Sequence, residues 1–332
     1  MSVSGMSTVH PKTLTPKVLV TSPNIPKIGI TFLEDNGCHV TVVENATEED
    51  VLRHIAGVDA LLVLAPVKIT RAVLDAAGSN LKAVSALSAG YDHIDVQELK
   101  RRGIKLGNAP RVVNAPVADL AILLALAAAR RLHEGRLKIE NNEWDRLHYQ
   151  WILGQDINNS TVGIVGFGGI GQAIAKRLKG FEVRQILYTG HREKPEGKSL
   201  GAKFVSLDTL LRDSDYVIIC APLTKDTEDM CNEEFFSKMK KTAVFVNISR
   251  GRVVDQPALI KALKTGTIFA AGLDVMTPEP LPPDHELLKL PNIVLTPHRG
   301  IATVETENTM ALLAAKNILK CLAGEEMLHP VV

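Results

Sequence analysis

The sequence predicts an α/β protein with two doubly wound domains, each a parallel sheet covered by helices on both faces. Three observations predict it. Short β-rich runs alternate with helical patterns almost throughout, the rhythm of parallel strands joined by crossover helices. The chain has 332 residues, 45% of them hydrophobic, which is long for one core and enough for two. In mid-chain a glycine-rich turn joins an apolar run to an amphipathic one, and a second β-α series starts there, at Thr161.

Taken in order, residues 1–15 are rich in Ser, Thr and Pro and lack a signal-peptide core, so they read as a disordered tail. They also lack acids, as a mitochondrial presequence would, but contain no Arg. Lys17–Thr21, Cys38–Glu44, Ala60–Leu64, Leu81–Ala86 and Ile104–Gly107 read as strands. Ile28–Asn36, Glu48–Ala56, Arg71–Ala77 and Val96–Arg102 read as the helices between them. One long helix is expected from Pro116 to about Asn142. Its first half is apolar nearly all round, which suggests burial between two bodies. Trp144–Asn159 has weak periodicity and reads as an arm. Further strands are expected at Val162–Val165, Gln185–Tyr188, Lys203–Val205, Tyr216–Cys220, Ala243–Asn247, Phe269–Gly272 and Ile293–Leu295, with a closing helix at Val304–Leu322. Gly and Pro cluster at 107–116 and 296–300, where the chain is expected to cross between domains.

Composition excludes several function classes. A net charge of +1 leaves no electrostatic footprint for nucleic acid or an anionic membrane, and 4% aromatic residues make a poor base-stacking surface. No apolar run is long enough to span a bilayer. The four cysteines, Cys38, Cys220, Cys231 and Cys321, form no CxxC pair and no zinc spacing with His. No metal site is expected, and the thiols read as free in a reducing, cytoplasmic setting.

The sharpest local motif is TVGIVGFGGIGQAIAKRL, residues 161–178. Its Gly166-x-Gly168-x-x-Gly171 pattern gains meaning because it follows a strand and opens a helix. Gly166 permits a tight turn, Gly168 lets the backbone approach a pyrophosphate, and Gly171 lets the helix pack close to the strand. The helix N-terminus then offers N–H groups and a positive dipole end to phosphate. This is a Rossmann-type dinucleotide site. After the next strand, where NAD enzymes place an acid for the ribose, the chain reads Tyr188-Thr-Gly-His-Arg-Glu-Lys194. A hydroxyl and cations there, at Thr189, His191 and Arg192, would attract a 2′-phosphate that a carboxylate would repel. NADP(H) is therefore the expected cofactor, with NAD(H) as the alternative.

Three further strand ends carry reactive residues: Arg250 in N-I-S-R-G, Glu279 after A-G-L-D-V, and His298 in T-P-H-R-G. Open α/β sheets bind ligands at the carboxyl ends of their strands. An Arg can hold a carboxylate and the adjacent carbonyl, and a protonated His can give its proton to the oxygen as hydride arrives. A Glu bonded to that His favours the imidazolium form. Taken alone, each residue also reads as a polar group closing a strand.

In this order, the GxGxxG loop, the SRG strand end, the D-V-x-x-x-E segment and P-H-x-G resemble the D-isomer-specific 2-hydroxyacid dehydrogenase family. The likeness runs from about residue 16 to 325 and is strongest toward the glyoxylate/hydroxypyruvate reductases of animal type, through stretches such as FFSKMKKTAVFVNISRG. The resemblance implies a dinucleotide domain (112–302) inserted into a flavodoxin-like substrate domain (16–111 plus 303–332), with a dimerisation arm at 116–160 and a homodimer. It implies that Arg250 binds the substrate carboxylate and carbonyl, that Glu279 orients His298, and that His298 is the general acid. Ala89 and Gly90, in the loop Ser88–His93, would hold the carboxylate through their N–H groups, with Ile301 lining the substrate. Asp274 would receive the nicotinamide carboxamide. Ala221 and Pro222 would line the adenosine side, and Gly169, Ile170, Ile248 and Gly300 would complete the cofactor contacts.

The implied reaction is NADPH-dependent reduction of a small 2-oxo acid, glyoxylate or hydroxypyruvate, to the D-2-hydroxy acid. The sequence departs from these relatives at Arg299, Ile301 and Leu147. Ile301 replaces a small hydroxyl residue, which would shift preference toward a larger or less polar 2-oxo acid such as 2-ketogluconate. A lost hydrogen bond of that kind costs about 1–3 kcal/mol. Two other readings stand beside this one. The chain could be a dinucleotide-sensing interaction protein, like the C-terminal-binding-protein corepressors, although those carry long C-terminal extensions. It could also bind cofactor without turnover.

Overall fold

The strands are apolar runs and the helices amphipathic ones, so the β-α rhythm closes into two compact units. The structure, a computed structural model, describes residues 15–332 apart from Pro66, Arg146 and His148. Of the expected tail, residues 1–14 lie outside the described residues. One unit comprises the chain up to Val112 together with Thr303–Val332; the other is Val113–Ala302.

In the first unit, strands β1 (Lys17–Val20), β2 (His39–Val42), β3 (Ala60–Val63), β4 (Ala83–Ala86) and β5 (Lys105–Gly107) alternate with helices α1 (Lys27–Asp35), α2 (Glu48–His54), α3 (Arg71–Ala77) and α4 (Val96–Arg102). The sheet is parallel, in the order β2-β1-β3-β4-β5, the flavodoxin-like arrangement. β3 and β4 lie inside the sheet and are buried at every residue, whereas the edge strand β2 is not. The C-terminal helix, Val304–Leu322, packs on α1, where a Cβ added to Gly29 would come within 2.9 Å of Ala311 Cβ. Its Asn317 is fully buried and ties three segments together: it donates to Ser85 Oγ (3.4 Å) and Asn108 O (3.1 Å) and accepts from His329 N (3.2 Å).

The second unit opens with α5 (Asn114–Ala129) and α6 (Leu132–Glu140). It continues through β6 (Thr161–Val165), α7 (Gly169–Leu178), β7 (Gln185–Thr189), α8 (Pro195–Leu200), β8 (Ala202–Phe204), α9 (Leu207–Asp213) and β9 (Tyr216–Ile219). Then follow α10 (Glu233–Ser237), β10 (Val244–Asn247), α11 (Gln256–Lys264), β11 (Ala270–Leu273) and β12 (Ile293–Leu295). All seven strands are parallel, in the order β12-β11-β10-β9-β6-β7-β8. The direction of winding reverses between β6 and β9, the switch point where such sheets bind dinucleotides. One face is filled by Phe235, Phe236 and Phe245, whose rings meet edge to face.

One expectation about the long helix needs correction. The apolar helix α5 packs against α7, β10 and β11 of its own unit, and a Cβ on Gly272 of β11 would lie 2.8 Å from Leu124 Cβ. It does not run on to Asn142. It breaks at Arg130 and Arg131, where Arg131 takes a left-handed φ of 54°. The reason is a contact from far along the chain: the carbonyl of Ala129 accepts from Gln155 N at 3.0 Å. Gly154 makes this possible, because a Cβ there would sit 2.1 Å from Ala129 O. Gly154→Ala is therefore expected to destabilise the protein by about 1–3 kcal/mol, as overpacking does. Urea denaturation checks this, and an unchanged midpoint would contradict it.

Candidate functional site

The glycine loop leaves β6 with Gly166 at φ 94°, and its N–H donates to Thr189 O at the end of β7 (2.9 Å). A Cβ on Gly166 would lie 2.7 Å from Ala221 N, so the loop after β6 runs directly against the residue that follows β9. A Cβ on Gly171 would lie 2.4 Å from Gly166 O, which is how closely α7 packs on the turn. Gly169 lies under the side chain of Asn114, and Ile170 is half-buried in the first turn of α7.

These residues fit a dinucleotide. α2, α4, α9 and α11 each begin with a side chain that accepts a backbone N–H. α7 instead begins at Gly168 with no side-chain cap, and a Cβ on Gly168 would meet nothing within 4 Å. An uncapped helix N-terminus facing open space is suited to a pyrophosphate. Ala221 and Ile248 are buried beside this loop's neighbouring strands; Pro222 is exposed and accepts from Thr227 Oγ1 through its carbonyl (2.6 Å).

At the end of β7 the structure separates the ribose candidates. Tyr188 faces inward: it is 1% exposed, stacks on Phe167 with centroids 4.0 Å apart, and its hydroxyl accepts from Lys194 N (2.9 Å). Thr189 ends the strand, and Gly190, His191, Arg192 and Glu193 follow it on the surface.

The three strand-end residues Arg250, Glu279 and His298 come together within this same unit. His298 follows β12 with φ 55°, and its Nδ1 lies 2.8 Å from Glu279 Oε2. Met276 N donates to the other Glu279 oxygen at 3.0 Å. The hydrogen bond to Glu279 raises the pKa of His298 above its ordinary value, against desolvation and the nearby Arg250. Desolvation alone would raise Glu279, but the His298 and Met276 N–H bonds and the Arg250 charge outweigh it and lower its pKa. Arg250 thus acts electrostatically on both members of the pair, and its Nη1 donates to Ser249 O (2.8 Å). Asn247 shapes this strand end: its side chain donates to Arg250 O (3.0 Å) and accepts from Ser249 N (3.0 Å).

Asp274 has a role the sequence reading missed. It is 2% exposed, and its carboxylate accepts from Thr296 Oγ1 (2.6 Å), Arg299 N (2.7 Å) and Gly300 N (2.9 Å). It therefore fastens the turn that carries His298. The register gives the signal: Leu273 pairs with Leu295, so Asp274 and Thr296 leave adjacent strands side by side. Ile301 is half-buried three residues past His298, and Arg299 is exposed.

Ala89 and Gly90 belong to the other unit, in the loop after β4. Asn108 Nδ2 donates to Ala89 O (2.8 Å) and Ser88 Oγ to Gly90 O (2.6 Å), while neither N–H has a partner among the described residues. Among the described residues no group of His, Cys, Asp and Glu could hold a metal, and no helix is long and apolar enough to cross a membrane.

Residues 122–300 match the model of the D-isomer specific 2-hydroxyacid dehydrogenase NAD binding domain. The chain is 48% identical to glyoxylate reductase/hydroxypyruvate reductase of Homo sapiens over 84% of its own length and 85% of that protein's. The chain belongs to the D-isomer specific 2-hydroxyacid dehydrogenase family. This dehydrogenase is also 46% identical to the glyoxylate reductase of Thermococcus kodakarensis, over 93% of its length and 94% of the relative's. Among solved structures it is similar to an NADPH-dependent glyoxylate/hydroxypyruvate reductase from Sinorhizobium meliloti in complex with NADP and malonate. The TM-score is 0.85 and the identity 32%, covering 96% of the dehydrogenase and 97% of that chain. The dehydrogenase is thus an oxidoreductase with a domain for a nicotinamide dinucleotide.

Proposed function

We propose that the protein reduces a small 2-oxo acid, glyoxylate or hydroxypyruvate, to the D-2-hydroxy acid, with NADPH preferred over NADH. The observation that carries this reading is the hydrogen-bonded His298–Glu279 pair, with Arg250 electrostatically coupled to both. When bound, the reduced nicotinamide supplies the hydride.

The protein's own residues do the rest. Arg250 binds the substrate carboxylate and the 2-oxo oxygen, which fixes the carbonyl carbon for attack. Glu279 occupies Nδ1 of His298, so the proton to be given away sits on Nε2. Nε2 delivers it to the carbonyl oxygen as the C–H bond forms, and the oxygen becomes the hydroxyl. Glu279 stabilises the imidazolium before transfer, and Asp274 keeps the turn in place. In the 16–111 plus 303–332 domain, the N–H groups of Ala89 and Gly90 hold a carboxylate.

Thr189, His191 and Arg192 support NADPH, since that strand end presents a hydroxyl and cations where an acid would repel a 2′-phosphate. The exposed apolar side chains Leu132, Ile139, Trp144, Leu147 and Leu153 support a homodimer through the arm. The relatives' names support glyoxylate and hydroxypyruvate; Ile301 and Arg299 are the residues that would widen the range.

Steady-state kinetics on glyoxylate, hydroxypyruvate, pyruvate, phenylpyruvate and 2-ketogluconate, each with NADPH and NADH, test this. The highest kcat/KM is expected for glyoxylate or hydroxypyruvate with NADPH, and Arg192→Glu should reduce the NADPH advantage about tenfold or more. Equal or better use of NADH would refute the cofactor assignment, and no oxidation of NADPH with any of the acids would refute the activity.

A further inference from the structure

The segment that leads to Glu279 is bonded to a residue outside its own loop. Gln256 is the first residue of α11, directly after the N-cap Asp255, and is only 9% exposed. Its Oε1 accepts from Thr277 N at 2.9 Å, and its Nε2 donates to Thr277 O at 2.5 Å. One side-chain amide thus pairs with both backbone groups of one residue, as a neighbouring strand would. Thr277 stands two residues before Glu279, and the residue before it, Met276, donates its N–H to Glu279. The same segment also rests on Gly251, next to Arg250. A Cβ there would lie 2.1 Å from Met276 O and 2.6 Å from Thr277 Oγ1. Only an amide satisfies both Thr277 groups at once, because an ionised carboxylate has no donor and would set an oxygen against the carbonyl.

We propose that Gln256 is a positioning residue for the proton-donating pair, its amide fixing residues 276–279 so that Glu279 meets Nδ1 of His298. This rests on the reading of His298 as the proton donor. The charged groups acting on His298 are Glu279, Arg250 and Asp274, and those acting on Glu279 are His298 and Arg250. Gln256 adds no charge to this set and acts only through where it places Glu279. A titratable ring also touches the amide: His285 Nε2 lies 3.2 Å from Gln256 Nε2.

The test compares Gln256→Leu, Glu279→Gln and the double variant in the full chain. It measures NADPH oxidation with the best 2-oxo acid of the panel as a function of pH, and repeats the series with His285→Phe to remove that ring's titration. Gln256→Leu is expected to lower kcat roughly ten- to a hundredfold, as small misplacements of reacting groups do, with KM for NADPH unchanged. Its loss of reduction at alkaline pH should set in earlier, as in Glu279→Gln, and the double variant should match Glu279→Gln alone. Gln256→Glu should recover activity relative to the wild type as pH falls, because the protonated carboxyl regains a donor. If Glu279→Gln shifts the pH profile while neither Gln256 variant does, the positioning role is overturned and Gln256 serves stability alone. If Glu279→Gln itself leaves the profile unmoved, the reading of the pair fails, and this proposal with it.

Discussion

Replacing His298 with Gln is expected to lower kcat for reduction by roughly 10²- to 10⁴-fold, while dinucleotide affinity stays within about twofold. The glutamine retains the size and a hydrogen bond to Glu279 but has no proton to give at neutral pH. The proposed phosphate and ribose contacts lie at the glycine loop and the end of β7, so binding should persist. The wild-type pH profile has a defined direction. In the proposed mechanism reduction needs His298 protonated, and the bond to Glu279 raises its pKa above the ordinary value of 6.5. Reduction therefore extends to higher pH than a free imidazole would allow and falls as pH rises through the raised value. Oxidation of the hydroxy acid, which needs the neutral ring, rises over the same interval. The residual activity of His298→Gln should lack both trends. Steady-state rates in both directions across about pH 5.5–9 decide this, and a variant with wild-type turnover would remove His298 from the proton-donor role.

The second large effect is expected at Asp274. Asp274→Ala removes the shared acceptor of Thr296 Oγ1, Arg299 N and Gly300 N, a carboxylate on a residue that is itself only 2% exposed. Each orphaned donor costs about 1–3 kcal/mol, and because the three share one carboxylate the total is expected at about 3–5 kcal/mol. The turn also contains His298 at φ 55°, a conformation that costs a residue with a Cβ about 1 kcal/mol or more unless its surroundings hold it. Asp274 supplies that hold, and its own carbonyl accepts from His298 N at 2.7 Å. Loss of stability and loss of turnover should therefore appear together. Denaturant titration and kcat on the same preparation check both. A variant destabilised by less than about 1 kcal/mol would show that the turn does not depend on this carboxylate.

The strands were legible because a parallel strand buried on both faces is written as an unbroken apolar run, as in Ala60–Val63 and Tyr216–Ile219. The glycine loop was legible because close approach excludes a side chain at Gly166 and Gly171 whatever the rest of the chain does. What was not legible depended on contacts between distant residues. The helix break at Arg130–Arg131 is set by Gln155, and local propensity over Leu120–Leu137 contains no sign of it. Tyr188 could not be told from Thr189 as a ribose candidate until the pleat turned it onto Phe167. Arg250, Glu279 and His298 were found as strand-end residues, whereas Asp274 and Gln256 support them through hydrogen bonds to residues distant in the chain, and Asn247 through the turn it shares with Arg250.

The bond between Ala129 O and Gln155 N also says something about how the arm is attached. The excursion leaves α5 and returns to the same peptide carbonyl, and Tyr216 Oη secures the return by donating to Gln155 O (3.3 Å). An inserted segment whose ends already coincide adds little to the entropy of closing the chain, and that entropy grows only slowly with its length. The arm can therefore lengthen, shorten or exchange its surface residues without disturbing the register of β6 or the loop that follows it. In the proposed homodimer, association through the arm and the chemistry of reduction would then be free to vary separately, since the arm's two ends meet at two hydrogen bonds and one glycine.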